Sequence, residues 1–403
     1  MSAIERTANP FLNDAYDLID DLTATRRDFH MHPELGFQEF RTSAIVAERL
    51  TALGYDVVPG VGGTGVVGLL KGGQPGERTV LLRFDMDALP IEEANQVPYR
   101  SQTPGVMHAC GHDAHTAIGL GVASVLMKHR DDLPGTIKLM FQPAEEGLGG
   151  AMAMIDDGIL DRIGPPVDRA FGLHVSSGHP TGTAAMCVGP MLAAAAPFTI
   201  TVQGRGGHGA MPHDTVDAVL VASHIVVALQ TIVARNVNPE DTAVVTIGSI
   251  TAGNASNVIA DSAVMRGSIR SFTPEVKALL RKRIPEVAMG VAAALGATAE
   301  VSISDGVDAT VNAEAPTHLA EATAAAVLGT DNVDTNFRLT GSEDFSAVLA
   351  RVPGNFFMLG ARDDARGLNA PHHNPHFDID ETCLPWGVAI LCDTALRALH
   401  GEG

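Results

Sequence analysis

The chain has 403 residues, of which 45% are hydrophobic, and a formal net charge of −20 at pH 7. This length exceeds one typical hydrophobic core, so two domains are expected. The acidic excess argues against a nucleic-acid partner or an anionic membrane surface, because both require clustered Lys and Arg.

The first 190 residues alternate between helical and extended patterns. Apolar residues at three- and four-residue spacing predict helices before Gly54, a typical C-cap glycine, and strands follow at GVVGLL and RTVLLRFDM. A helix is predicted after His112, followed by strands at GTIKLMFQ and RAFGLHV. This alternation predicts an α/β class with a mostly parallel mixed sheet flanked by helices.

The pattern changes near residue 190 and returns after residue 308. In between, the order strand, helix, strand, strand, helix, strand predicts a compact α+β unit of the ferredoxin-like kind. Asp214 is expected to cap the first helix of this unit. We therefore predict one discontinuous domain over residues 1–190 and 308–403, with a second domain inserted at 191–307.

The N-terminal segment and the spacing of the cysteines indicate the cellular compartment. The N-terminal segment has early charges and no apolar region typical of a signal peptide. No apolar run is expected to span a membrane, because the longest is interrupted by polar residues. The four cysteines are widely spaced and form no C-x-x-C pair. A cytoplasmic protein with reduced cysteines is predicted.

Polar side chains collect where predicted strands end, and ligands bind outside such ends in α/β domains. The segments are RFDMDALP, MHACGHDAH, FQPAEEG, FGLHV and APHHNPHFDID. Each alone is explained by a turn, a cap or a buried histidine. Together they carry the Cys, His, Asp and Glu ligands that divalent zinc, manganese or nickel favour. Because two such ions form a hydrolytic clamp, a two-metal hydrolase is predicted.

Glu145 and Glu146 are the most informative pair. Adjacent side chains on a regular strand point to opposite faces, but Pro143 and Gly147 flank this pair and predict that the strand ends there. Both carboxylates are then able to face one site. One is expected to bind metal and the other to act as general base and then general acid.

The chain resembles a known family through nine motifs in order over about residues 20–400. They are HMHPELGFQEFRTS, RFDMDALP, MHACGHDAHTA, FQPAEEG, FGLHV, GRGGHGAMPH, SNVIAD, GSEDFS and HHNPHFDID. Together they resemble the hippurate, auxin-conjugate and N-acyl-amino-acid amidohydrolase group of the aminoacylase and glutamate carboxypeptidase clan of dinuclear metallopeptidases. The resemblance implies a zinc-exopeptidase-like catalytic domain, an inserted lid and dimerisation domain, and a homodimer formed through that insert.

The resemblance also implies residue roles. Two divalent ions (Zn, Mn, Ni or Co) would be held by five ligands: Cys110, His112, Glu146, His174 and His373. Glu145 would be the general acid/base, and Asp87 would orient a metal ligand. From the inserted domain, His208 would reach the scissile carbonyl, and Asn257 and Arg270 would hold the substrate carboxylate or carbonyl.

Two positions depart from the pattern of the wider clan. Asp85 stands where the clan usually has a metal-binding histidine, and Cys110 stands where it commonly has a bridging aspartate. A thiolate is a reasonable substitute, because two cations would deprotonate it. A competing hypothesis makes Cys110 a nucleophile with a neighbouring histidine as base.

The sequence thus predicts a hydrolase that cleaves the amide bond of N-acyl-L-amino acids, such as hippurate-, acetyl- or indoleacetyl-amino acids. One alternative is a carboxypeptidase or dipeptidase acting on short peptides. A second is a non-catalytic binding protein on the same fold. Expected partners are the small substrate and a second copy of the chain, without nucleic acid or membrane.

Overall fold

The structure, a computed structural model, describes residues 9–403, which divide into two compact units. The first contains residues 9–191, 311–338 and 344–403, and the second contains 192–310 and 339–343. Residues 308–310 and 339–343 therefore lie in the second unit and residue 191 in the first, the reverse of the boundaries expected from the sequence.

The first unit is built on an eight-stranded mixed sheet in the order β1-β2-β4-β3-β5-β16-β6-β15. Its strands are β1 (Asp56–Val61), β2 (Gly65–Lys71), β3 (Gln74–Asp85), β4 (Pro134–Gln142), β5 (Arg169–Pro180), β6 (Ala184–Ala185), β15 (Val333–Asp334) and β16 (Gly354–Arg362). The central strands β4, β3, β5 and β16 are parallel. The prediction of a mostly parallel mixed sheet is confirmed.

Helices cover this sheet. They are α1 (Pro10–Asp17), α2 (Ile19–Met31), α3 (Phe40–Leu53), α4 (His112–Lys128), α5 (Gly150–Asp156), α8 (Glu314–Leu328), α9 (Ser346–Leu349) and α10 (Leu384–Leu399). α4 is almost wholly buried, because apolar and small residues occur on all its faces. Gly54 ends α3 in the left-handed conformation, as the sequence predicts.

The second unit is a four-stranded antiparallel sheet with two helices. Its elements are β8 (Ala194–Gln203), β9 (Gly207–His208), α6 (Ala218–Asn236), β10 (Ala243–Ala252), β11 (Val258–Ile259), β12 (Ser262–Ser271), α7 (Pro274–Ala294) and β13 (Thr298–Ile303). The sheet order β10-β12-β8-β13 is that of a ferredoxin-like unit, so this prediction is also confirmed. β9 and β11 form a separate ribbon, and β7 (Gly189–Leu192) pairs with β14 (Thr310–Asn312).

One local prediction is wrong. Asp217, not Asp214, caps α6, and its side chain accepts hydrogen bonds from Val219 N and Leu220 N. Asp214 lies instead at the end of a short 3₁₀ turn. Because this 3₁₀ turn comes first, α6 begins at Ala218, about one helical turn later than the apolar periodicity indicates.

Within residues 9–403, two helices are long and apolar enough to cross a membrane by length and composition alone, Ala218–Asn236 and Glu381–Leu399. The second is 72% buried inside the structure, as is usual for a core helix, whereas only 33% of the first is buried. By length and composition, α6 is thus an exception to the expectation that no apolar run is long enough to span a membrane. The lack of a membrane partner stays a prediction.

Candidate metal and active site

The register of three parallel strands places polar side chains at one edge of the large sheet. Asp85, the last residue of β3, lies opposite Gln142 at the end of β4. On the other side, Arg83 lies opposite Gly172 of β5. Two residues further along both strands, Asp85 and His174 therefore lie at the same level and on the same side of the sheet.

The loop before α4 brings Cys110 to this edge. Gly111 has a φ of 90°, and a Cβ there would lie 2.4 Å from Val175 Cγ2, so only glycine permits this close approach to β5. Cys110 Sγ lies 3.4 Å from His174 Nε2. His112, the first residue of α4, is fully buried beside them.

The two adjacent glutamates follow a break in β4, which ends at Gln142. Ala144 has a φ of 53°, and Gly147 N donates to Glu145 O at 2.6 Å, which defines a tight turn. Oxygens of Glu145 and Glu146 and a nitrogen of His112 all lie within 4.8 Å of one another. The turn therefore brings both carboxylates to one site.

The loop after β16 contributes two histidines. His373 adopts a φ of 62°, its N–H donates to Ala109 O at 2.8 Å, and its Nε2 lies 3.2 Å from Glu146 Oε1. His372, which is not among the ligands expected from the sequence, lies with its Nδ1 3.7 Å from Cys110 Sγ. Because His372 Nε2 accepts from Ser177 N, its Nδ1 carries the proton and donates to the sulfur. The adjacent histidines in APHHNPHFDID were the available signal.

The five residues assigned to metal by resemblance lie in one connected cluster. Candidate ligand atoms lie within 4.8 Å of one another in three overlapping groups: Cys110, His174 and His372; Cys110, Glu146 and His373; and His112, Glu145 and Glu146. All belong to the first unit. Cys110 and Glu146 each link two of these three groups, and His112 also belongs to a further group with Asp85 and His115.

Asp87 contacts both the start of α4 and the turn that carries the two glutamates. Its Oδ1 lies 3.1 Å from His112 Nδ1, and its Oδ2 accepts from Glu146 N at 3.0 Å. A carboxylate behind a ligating histidine fixes the ring orientation and makes the other nitrogen more basic. Asp87 is thus placed to orient both His112 and Glu146.

The electrostatics of the cluster fit a divalent cation. Burial, together with His115 and His372, lowers the pKa of His174 well below its ordinary value, so its ring is neutral. Burial also lowers the pKa of His372 to about 3, which keeps that ring neutral as well. Burial raises the pKa of the Cys110 thiol, and a bound cation would lower it again. In the described part of the chain, buried His112 Nε2 has no hydrogen-bond partner. An unsatisfied buried nitrogen costs about 1–3 kcal/mol, and a metal ion would satisfy it.

The rest of the histidine-rich stretch supports the site. Asp113 accepts from Arg26 Nε at 2.8 Å and lies 2.7 Å from His30 Nδ1, both buried. His108 is buried and, by desolvation, has its pKa lowered to about 4. The contacts of Asp113 tie α2 to the first turn of α4, directly after the loop that carries Cys110.

The candidate substrate residues His208, Asn257 and Arg270 belong to the second unit. The β9–β11 ribbon brings the first two together, since His208 pairs with Val258 and Gly209 N donates to Asn257 O. His208 Nδ1 accepts from Ala210 N at 3.0 Å, so the neutral ring carries its proton on Nε2. Arg270 lies apart from this ribbon, on β12 opposite Ala195 of β8.

Sequence comparison finds a matching family and several relatives. The model of peptidase family M20/M25/M40 matches residues 81–397. YhaA of Bacillus subtilis, named as an amidohydrolase, is 43% identical over 98% of each chain. Thermostable carboxypeptidase 2 of Saccharolobus solfataricus is 41% identical over 96% of this chain and 97% of its own. N-acetyl-L-cysteine deacetylase of Bacillus subtilis is 39% identical over 94% of this chain and 89% of its own.

A solved structure has the same fold. The YXEP protein of Bacillus subtilis, described as a dinuclear metal-binding peptidase of family M20, superposes with a TM-score of 0.81. It is 32% identical in sequence, and the alignment covers 96% of this chain and 99% of that one. The resemblance inferred from the motifs is confirmed.

Proposed function

Because the chain belongs to peptidase family M20/M25/M40, a family of hydrolases, we propose that it cleaves the amide bond of N-acyl-L-amino acids. The products are a carboxylic acid and a free amino acid. The observation that carries this proposal is the meeting of Glu145 and Glu146 with His112 beside the Cys110 cluster. A binding protein would not need a second carboxylate next to the ligand set.

Cys110, His112, Glu146, His174 and His373 would hold two divalent ions, Zn, Mn, Ni or Co. When bound, such ions polarise the amide carbonyl and make water more acidic. The thiol, imidazole and carboxylate donors suit these metals, and the name of the YXEP protein supports a pair of ions.

Glu145 acts as the proton carrier. It takes a proton from the attacking water and delivers it to the nitrogen of the leaving amino acid. The tight turn closed by the Gly147 N–H to Glu145 O bond fixes the backbone from which the carboxylate extends.

The second unit supplies substrate contacts in this proposal. The Nε2–H of His208 donates to the carbonyl oxygen as negative charge develops there, an interaction typically worth about 3–4 kcal/mol. Arg270 is half-buried and binds the substrate carboxylate, for which its planar guanidinium is suited. Asn257 binds the carboxylate or the carbonyl beside His208.

The experiment is a substrate panel on chelated protein reloaded with Zn, Mn, Ni or Co. Benzoyl-, acetyl- and indoleacetyl-amino acids are compared with dipeptides that end in the same amino acid. We expect metal to restore activity and kcat/KM to favour the acylated substrates by about tenfold or more. The reverse preference would establish the carboxypeptidase or dipeptidase alternative, which the name of one relative favours.

We also propose that two copies pair through the second unit, in the cytoplasm. Exposed apolar side chains on α6 support this, among them Val219, Leu220 and Val227, the last 71% exposed. β10 is an edge strand of its sheet and open to further pairing. Sedimentation should show a dimer that Val227→Glu weakens. The four cysteines form no disulfide, which supports a reducing location.

A further inference from the structure

A buried hydrogen-bond chain runs from Asp85 through His115 to the backbone of β5. His115 Nδ1 lies 2.5 Å from Asp85 Oδ1, and His115 Nε2 accepts from Val175 N at 2.8 Å. Because a backbone N–H only donates, Nε2 must be the unprotonated nitrogen of a neutral His115, and Nδ1 donates to Asp85. The two contacts fix both the tautomer and the ring plane.

The same residue of β5 fixes the neighbouring ligand. His174 Nδ1 donates to Val175 O at 2.7 Å, and a carbonyl only accepts. The proton of neutral His174 is therefore on Nδ1, and its Nε2 lone pair faces the cluster, 3.4 Å from Cys110 Sγ. Val175 is thus held at its N–H by His115 while its carbonyl orients His174.

Asp85 is the fixed end, or anchor, of this hydrogen-bond chain. Arg83, on the same strand and fully buried, pairs with Asp85 Oδ2 at 2.5 Å and donates through Nε to Gln142. Thr116 Oγ1 donates to the backbone oxygen of Asp85, which ties it to α4. The carboxylate therefore has a fixed position from which to hold the His115 ring.

We propose that His115 is a positioning residue for His174, holding Val175 through its Nε2 with Asp85 as anchor, and is not itself a metal ligand. Asp85, His112 and His115 do lie close enough together to be a ligand group by distance. However, both nitrogens of His115 already make hydrogen bonds. This assigns a role to the aspartate that stands where the wider clan has a metal-binding histidine.

The inference rests on the proposed metal site, and its test measures metal binding rather than activity. Apo-protein is titrated with Co²⁺, followed by visible absorption and by the number of ions bound. The two variants differ in which bond they keep. His115→Gln places an amide oxygen near the Nε2 position and keeps an acceptor for Val175 N. His115→Asn keeps a donor for Asp85 and loses that acceptor.

We expect His115→Asn to weaken Co²⁺ binding about 10- to 100-fold, the usual effect of losing a residue that orients a ligand. His115→Gln should bind Co²⁺ several-fold more tightly than His115→Asn, with the same number of ions as wild type, since the bond to Val175 is retained although the bond to Asp85 is lost. Equal affinity of both variants and wild type would overturn the inference, and so would loss of one ion in His115→Gln. Wild type that binds no Co²⁺ would instead contradict the proposed function.

A second measurement needs no variant. Long-range ¹H–¹⁵N spectra of wild-type apo-protein labelled at histidine report the tautomer of each ring. We expect the Nδ1–H tautomer at both His115 and His174. An Nε2–H tautomer at His115 would overturn the inference whatever the variants do.

Discussion

Glu39 accepts a hydrogen bond from Ala144 N at 2.9 Å, which fixes the residue immediately before the two glutamates. Its other carboxylate oxygen accepts from Thr64 Oγ1, and the side chain is fully buried. Ala144 is left-handed, with a φ of 53°, a conformation that costs an L-residue about 1–2 kcal/mol. Glu39 therefore helps to offset backbone strain at the turn that presents Glu145.

Glu39→Ala should lower kcat about 10- to 100-fold, because a small displacement of a catalytic carboxylate has effects of this size. Glu39→Gln keeps an oxygen for Ala144 N and should retain most of the activity. Steady-state kinetics with metal content measured in parallel tests this. Wild-type kcat in Glu39→Ala would show that the turn holds without this bond.

Glu145→Gln should lower kcat by about 10²–10⁴, since the amide cannot carry a proton, while metal content stays unchanged. The neighbouring Glu146→Gln is the matched control and should lose metal as well as activity. Activity and metal content by mass spectrometry separate the two effects. Undiminished activity in Glu145→Gln would refute the proton-transfer role.

Cys110 is predicted to act as a ligand and not as a nucleophile. Burial raises the pKa of its thiol, so without a cation little nucleophilic thiolate forms at neutral pH. Cys110→Asp provides a carboxylate that bridges cations, and should retain metal and measurable activity, whereas Cys110→Ala should lose both. Activity that survives complete chelation but not thiol alkylation would support the nucleophile hypothesis instead.

Two adjacent arginines on α2 offer a matched pair for stability. Arg26 is fully buried and pairs with Asp113, Asp378 and Glu381. Arg26→Ala removes the one buried cation that these three carboxylates share, leaving them with His30, Tyr99 and Arg27 as side-chain partners, and should reduce the free energy of unfolding by about 3–5 kcal/mol. Arg27 also pairs with Glu381 but its side chain is 42% exposed, so Arg27→Ala should cost about 1 kcal/mol or less. Urea unfolding of both variants checks the difference, and equal losses would contradict it.

Because Lys138 is buried, we expect the free energy of unfolding to depend on pH in the alkaline range. Burial lowers its pKa to about 8, and its Nζ donates to Ile159 O and Pro165 O. Between pH 8 and 10.5 the unfolded chain binds this proton and the folded chain does not, so the Lys138 contribution to stability rises with pH. Relative to Lys138→Met, wild type should gain stability across this window. Parallel pH profiles of thermal unfolding for the two proteins would contradict the prediction.

The period of the apolar pattern was enough to predict the class of both units. It was enough because a period of two or of 3.6 residues indicates directly which face of a strand or helix is buried. The start of α6 was misplaced because a 3₁₀ turn precedes it, and Asp214 and Asp217 are chemically equivalent as caps. Cap choice there depends on backbone geometry outside the periodic segment.

The sequence by itself determined which residue types were available to the site and which were neighbours on the chain, such as Cys110 with His112 and Glu145 with Glu146. Tertiary structure alone decided which distant groups meet them. Strand register places Asp85 and His174 at the same level of the sheet. The left-handed backbone at His373 accompanies the contact of His372 with Cys110, and His115 accepts a hydrogen bond from Val175. Residues far apart in sequence become neighbours only when sheet pairing and loop closure fix their distances, and no local pattern records those distances.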